Sequence, residues 1–167
     1  MHVDLGPEGN SAYIFSITHD TNRNLWVATN AGLFKVNMTG KGEVDRSHPA
    51  IRYFTKQCRV TSDKDGRVWG YLKGSWAFRI RPSAFGNDHI DTLDMQRFGK
   101  ELWNDDRATS VNGHFVVDPA SGRVFGVFPY FIAEYDRATL TPNVVYRVLS
   151  NWFALTGRAG RRLQQRQ

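Results

Sequence analysis

An all-β fold built from repeated four-stranded antiparallel units is predicted for this 167-residue chain by three observations. These are a surplus of aromatic residues and glycine, an Asp-to-Trp segment that recurs, and short β-type runs divided by turn residues. Aromatic residues make up 13% of the chain, with 15 Gly, 11 Phe, 6 Tyr and 5 Trp. Aromatic rings pack well on a pleated surface, and Gly supplies the tight turns between strands. At 41% apolar and 23% charged residues the chain has the makeup of a folded domain, not a disordered one.

The repeat begins at Ile17-Thr18-His19-Asp20, followed by Asn24-Leu25-Trp26-Val27 and Gly32-Leu33-Phe34-Lys35-Val36-Asn37. A second copy runs from Val60-Thr61-Ser62-Asp63 through Gly66-Arg67-Val68-Trp69 to Trp76-Ala77-Phe78-Arg79-Ile80. A third reads Val116-Val117-Asp118, then Gly122-Arg123-Val124-Phe125, then Ile132-Ala133-Glu134-Tyr135-Asp136, with Phe125 in place of Trp and one extra residue in the turn. In each copy two β-type runs flank an Asp/Asn/Gly turn, which predicts a hairpin. A third run follows, and then a fourth: 51–54, 93–98 and 144–148. Four strands per unit, repeating at roughly 40 to 50 residues, is the pattern of propeller blades. The predicted architecture is a β-propeller segment of about three four-stranded blades, either an incomplete ring or half of a six-bladed assembly. Residues 1–12 form a lead-in, the blades occupy 13–56, 57–112 and 113–149, and 150–167 holds the start of a further strand and a basic disordered tail. Because such rings generally close with four to eight blades, three should leave two apolar radial faces exposed.

Within the first copy, Trp26-Val27-Ala28-Thr29-Asn30-Ala31-Gly32-Leu33-Phe34 resembles the two-component regulator propeller repeat, whose pattern is an apolar strand, Asp-x-x-Gly-Asn-Leu-Trp, then Gly-Thr and Gly-Leu. The second copy departs from it at Gly70-Tyr71-Leu72-Lys73-Gly74, and the third is more diverged. The resemblance covers residues 13 to 149. It implies an extracytoplasmic sensing module of a signalling receptor. Residues Met1-His2-Val3-Asp4 lack the basic and apolar regions of a signal peptide, and no stretch approaches the roughly 20 apolar residues that span a bilayer.

Linear catalytic and metal motifs are missing from the sequence. Thr61 to Gly66 has the look of a calcium loop, but Leu72 stands where a bidentate Glu is required, so Asp63 and Asp65 read as turn formers. Trp26 and Trp69, at a repeated position, read as inter-blade packing in preference to stacking platforms. There is no nucleophile elbow, phosphate loop or HExxH zinc motif. No catalytic residue, cofactor or metal is therefore assigned. Cys58, the single cysteine, cannot form an intrachain disulfide and reads as a buried inert thiol. The formal charge of +6 owes part of its value to Arg158, Arg161, Arg162 and Arg166 in the tail. No aromatic–basic interleaving in the blades supports nucleic-acid binding.

Topology supplies the binding candidates. If the innermost strand of each blade ends at its Asp turn, its entry shares a face with the loop between the second and third strands. The register-equivalent entries are Ser16, Arg59 and His114, and the loops carry Asn30, Lys73 and Tyr130. Arg59, Lys73 and His114 favour an anionic ligand such as an acidic glycan. The sequence thus predicts a non-enzymatic module that binds a small molecule, a polysaccharide or a protein, with further blades or a second copy as structural partners. The alternative is a propeller enzyme, a metal-assisted lyase or hydrolase, whose site is split between blades.

Overall fold

A computed structural model of the chain describes residues 4–74, 76–83, 86–95, 97, 113–128 and 131–147. The β-type runs become twelve strands: β1 (Ile14–His19), β2 (Leu25–Thr29), β3 (Leu33–Val36), β4 (Ile51–Phe54), β5 (Cys58–Ser62), β6 (Val68–Leu72), β7 (Trp76–Arg81), β8 (His89–Asp94), β9 (His114–Val117), β10 (Val124–Phe128), β11 (Phe131–Tyr135) and β12 (Pro142–Arg147). They form three four-stranded antiparallel sheets, β1-β2-β3-β4, β5-β6-β7-β8 and β9-β10-β11-β12, each meandering in chain order. These are propeller-like blades, and the innermost strands β1, β5 and β9 lie against one another in sequence. The lead-in contains a single helical turn, α1 (Pro7–Asn10).

The Asp turns explain why the first hairpin of each blade forms. Asp63 Oδ1 accepts the backbone N–H groups of Asp65 and Arg67 at 2.9 and 3.0 Å, and Asp20 Oδ1 accepts that of Asn24 at 3.0 Å. The third turn residue after each aspartate needs positive φ; Arg23 provides it in the first blade (64°) and Gly66 in the second (70°). Gly66 has a further reason to lack a side chain, because a Cβ there would lie 2.4 Å from the Thr21 backbone nitrogen of the neighbouring turn. The aspartates do more than turn the chain. Asp20 Oδ2 accepts the Trp26 indole N–H and Asp63 Oδ2 that of Trp69, both at 3.0 Å, so a buried carboxylate satisfies each buried indole.

Both tryptophans are completely buried between blades. Trp26, Ala28 and Leu33 of the first sheet pack with Val60, Val68, Phe78 and Ile80 of the second. Trp69, Tyr71 and Ala77 of the second pack with Phe115, Phe128, Phe131 and Tyr135 of the third. A cation on each third strand caps the indole: Lys35 Nζ stands 5.4 Å from the Trp26 ring centroid and the Arg79 guanidinium 5.6 Å from that of Trp69. The next blade then holds that cation. Asp88, from the loop before β8, accepts Lys35 Nζ at 2.7 Å, and the Arg137 carbonyl before β12 accepts Arg79 Nη1. Between innermost strands, Thr18 Oγ1 donates to Ser62 Oγ at 2.6 Å and the Val60 N–H donates to Ser16 Oγ at 2.8 Å.

Two expectations need correction. The fourth strand of the second blade is His89–Asp94, not 93–98, because the ladder from Arg81↔His89 to Trp76↔Asp94 uses Ile90 and Thr92 within it. Asp88, immediately before that strand, is anchored to Lys35. Nor are both radial faces exposed. The free side of the first blade, Val27, Phe34 and Val36, is closed by Leu5 of the lead-in and flanked by Met38, Val44 and Ala50. On the third blade the free side has no such cover among the described residues: Phe125, Val127 and Ile132 are half-buried and Val116 is 44% exposed. There Glu134 stands where Lys35 and Arg79 stand in the other blades, opposite Phe125. Arg123, over the Phe125 ring at 5.1 Å, forks onto Glu134 with its Nε 2.6 Å from Oε1. The expected further strand and tail at 150–167 lie outside the described residues.

Candidate ligand face

Every innermost strand starts at one end of its blade, and the loop from second to third strand returns to that same end. The pairing sets Ser16 opposite Ala28, Arg59 opposite Tyr71 and His114 opposite Val127, the same register in all three sheets. Asn30 joins them directly: its Oδ1 accepts the Tyr13 N–H at 2.7 Å and its own N–H donates to the Tyr13 carbonyl at 3.1 Å. Lys73 is tied in likewise, its N–H donating to the Gln57 carbonyl at 2.8 Å. Five of the six candidates therefore share one end of the blades. Tyr130 lies outside the described residues.

Their side chains differ in availability. Ser16 Oγ is engaged by the second blade, and Asn30 Oδ1 by the chain entering β1. Arg59, Lys73 and His114 are exposed. The Arg59 guanidinium lies 5.7 Å from the Phe15 ring centroid, a contact that steadies it without neutralising it. Between Arg59, Lys73, Tyr71, Cys58 and Gly113 there is only a dimple of about 10 Å³, so at this spot the face can grip a ligand from above but cannot enclose one. Cys58 itself is buried, and burial pushes its thiol up to about 12, which leaves it unreactive at neutral pH.

The cations differ in whether a carboxylate meets them. Lys35, Arg67, Arg79, Arg81, Arg123 and Arg137 each lie within ion-pair distance of a carboxylate. Among the described residues Lys56, Arg59 and Lys73 make no such pair, and neither do Arg23, Lys41, Arg46 and Lys64. The Asp turns gather at the opposite end, where a cleft of about 420 Å³ opens between His19, Thr21, Ser62, Lys64 and Pro119. Its two buried carboxylates, Asp20 and Asp63, are already committed to the indoles.

One cluster resembles a catalytic triad and is not arranged as one. Asp45 accepts the Ser47 hydroxyl, while His48 Nδ1 lies 2.8 Å from Asp45 and 3.0 Å from Ser47. A single ring nitrogen thus faces both neighbours, leaving no second nitrogen to relay a proton between them. The hydrogen bonds from Ser47 and His48 hold the Asp45 carboxyl down at about 2. Among the described residues no three His, Cys, Asp or Glu side chains converge as a metal site, and no helix is long and apolar enough to cross a membrane.

Sequence reasoning passed over two residues at the end that holds Arg59 and Lys73, namely Lys56 and Trp76. Trp76 was legible as the start of a strand. That it lies two residues past Gly74 of this turn was the available sign that its ring reaches the blade's end.

No family model matches the chain, and no curated protein matches it. Among solved structures it is similar to the crystal structure of the extracellular domain of a hybrid two-component system from B. thetaiotaomicron, with 17% sequence identity and a TM-score of 0.56. The match covers 81% of this chain and 16% of that one, so the chain spans a small part of the length of the protein it resembles. At this identity the likeness concerns the fold.

Proposed function

We propose that these blades form a non-enzymatic recognition module of a sensor protein, binding an anionic ligand on the face where the innermost strands begin. The observation that carries this reading is that Arg59, Lys73 and Lys56 share one end of the blades with no carboxylate among the described residues in ion-pair distance, whereas Arg67 and Arg137 at the other end are paired with the carboxylates of the second Asp turn. Arg can fork onto a carboxylate and Lys can supply a point charge beside it, which suits an acidic glycan running across an open surface. The fold shared with the extracellular domain of a hybrid two-component system supports a sensing role and an extracytoplasmic site of action. The free side of the third blade fits a further blade, since it repeats the register of two faces that already receive one.

Titration calorimetry with polygalacturonate fragments tests this reading. Arg59→Ala/Lys73→Ala should bind about tenfold or more weakly than the unaltered chain, because each loses a charge-assisted hydrogen bond. The denaturation midpoint should hardly move, as both side chains are exposed. Binding should also weaken with added salt. Equal affinity in the double variant would refute the assignment.

A further inference from the structure

Trp76 is the exception among the described tryptophans. Trp26 and Trp69 are wholly buried, whereas Trp76 is 39% exposed although it opens a strand whose next four residues are buried. The reason is local. Leu72 pairs with Trp76 across a hairpin turn that includes Lys73 and Gly74, which puts the indole at the blade's end instead of between blades. Gly74 has φ +102°, a conformation that side chains rarely adopt, and a Cβ on it would lie 3.9 Å from Lys56 Nζ. The Lys56 ammonium accordingly stands over the turn that carries the indole.

Between this hairpin and the end of β4 lies a groove of about 330 Å³, lined by Tyr53, Phe54, Thr55, Lys56, Leu72 and Trp76. That volume is within the range of small-molecule pockets, about 300–1,000 Å³. Its floor is rigid: Phe54 packs on Phe78 with centroids 4.7 Å apart, and the Tyr53 hydroxyl is held by Asp88. Tyr53 therefore offers the groove ring carbon and no free hydroxyl. Among the described residues Lys56 is the only charged side chain in the lining, and it has no ion pair there. The nearest acid in register is Asp94, opposite Trp76 on β8, which accepts the Arg97 N–H and does not line the groove. An indole face, apolar walls and one ammonium specify a flat or ring-shaped molecule bearing a single carboxylate.

We infer that this groove binds a ring-bearing carboxylate, with the ring on the Trp76 indole and the carboxylate on Lys56. The inference rests on the reading of this face as the one that meets anions, and it adds a pocket with shape selectivity to a surface that is shallow between Arg59 and Lys73. A polymeric acid lying across Arg59 and Lys73 would seat one ring here. An aromatic acid would use the same contacts.

Two ligand series separate these sources: methyl galacturonide with neutral methyl galactoside as its control, and benzoate with benzyl alcohol as its control. Binding is followed by the Trp76 indole N–H resonance, assigned by its absence in Trp76→Phe. One of the acids should shift that resonance saturably while its neutral control does not, and which acid does so identifies the source. Lys56→Met, which keeps the aliphatic stem, should weaken the response about tenfold or more. Trp76→Ala, checked by its denaturation midpoint, should abolish calorimetric binding of the same acid. No saturable shift with either acid at millimolar concentration, or unchanged affinity in Lys56→Met, overturns the inference. If the groove is silent while polygalacturonate still responds to Arg59→Ala/Lys73→Ala, this inference falls and the proposed face stands. The reverse pattern keeps the groove and removes the face.

Discussion

Asp88→Ala is expected to cost the fold about 3–5 kcal/mol, because it removes one partner of a buried ion pair and leaves the other charged and dry. The Asp88 carboxylate is fully shielded from solvent and the Lys35 side chain is 5% exposed. Asp88 also accepts the Tyr53 hydroxyl and, at 2.7 Å, the Ser83 N–H, so its loss orphans three donors at once. A typical domain is stable by only about 5–15 kcal/mol, so urea denaturation should show the loss as a large fall in midpoint. Replacing both partners, Lys35→Met with Asp88→Leu, should recover part of it, since the buried ammonium is gone while the Tyr53 hydroxyl and the Ser83 N–H still lose this acceptor. A double variant as unstable as Asp88→Ala would mean that the ion pair is not the cause.

The same carboxylate makes stability depend on pH. Burial alone would raise the Asp88 pKa, but the hydrogen bonds from Lys35 and Tyr53 outweigh it and hold the group below its ordinary 3.8. A folded-state value lower than the unfolded one means that the unfolded chain takes up the proton first as pH falls. The stabilisation is complete well above pH 3.8 and disappears as pH drops through the folded value. Asp88→Ala should accordingly unfold in acid along a shallower curve than the unaltered chain.

The second large effect contrasts two positions of identical register. Trp69→Ala should cost about 3–5 kcal/mol, the usual range for emptying a fully buried aromatic site. It also removes the indole N–H from Asp63 and the ring beneath Arg79. Phe125→Ala, at the equivalent place on the third blade, should cost much less, about 1 kcal/mol or under, because that ring is only half-buried on the free side. Denaturant midpoints of the two variants check this directly. Equal costs would mean that a partner surface already covers Phe125.

The blades were legible in the sequence where the determinants are local. The Asp-to-Trp spacing, the turn residues and the alternation of apolar positions all act within one hairpin, and the structure places Asp20, Asp63, Trp26 and Trp69 in matching registers. The equivalence of Ser16, Arg59 and His114 could be read for the same reason. What escaped depends on contacts distant in sequence. Nothing near Lys35 announces that Asp88 will meet it across a blade boundary, and the start of β8 was misplaced. Leu5 covering Val27 and Phe34 is likewise invisible in a lead-in without periodicity. The aspartates were recognised as turn formers, but their second role at the indole nitrogens needs the tertiary fold. The groove at Trp76 depends on β4 and the β6–β7 turn meeting at one end, and no linear motif encodes that.

The measurement that bears most directly on the proposed function is an amide-resonance map of the chain titrated with polygalacturonate fragments. Perturbations gathered at the entries of β1, β5 and β9, around Ser16, Arg59 and His114, and at Asn30 and Lys73, are the predicted result. Perturbations confined to the opposite end, around His19, Ser62 and Lys64 between the Asp turns, would contradict it.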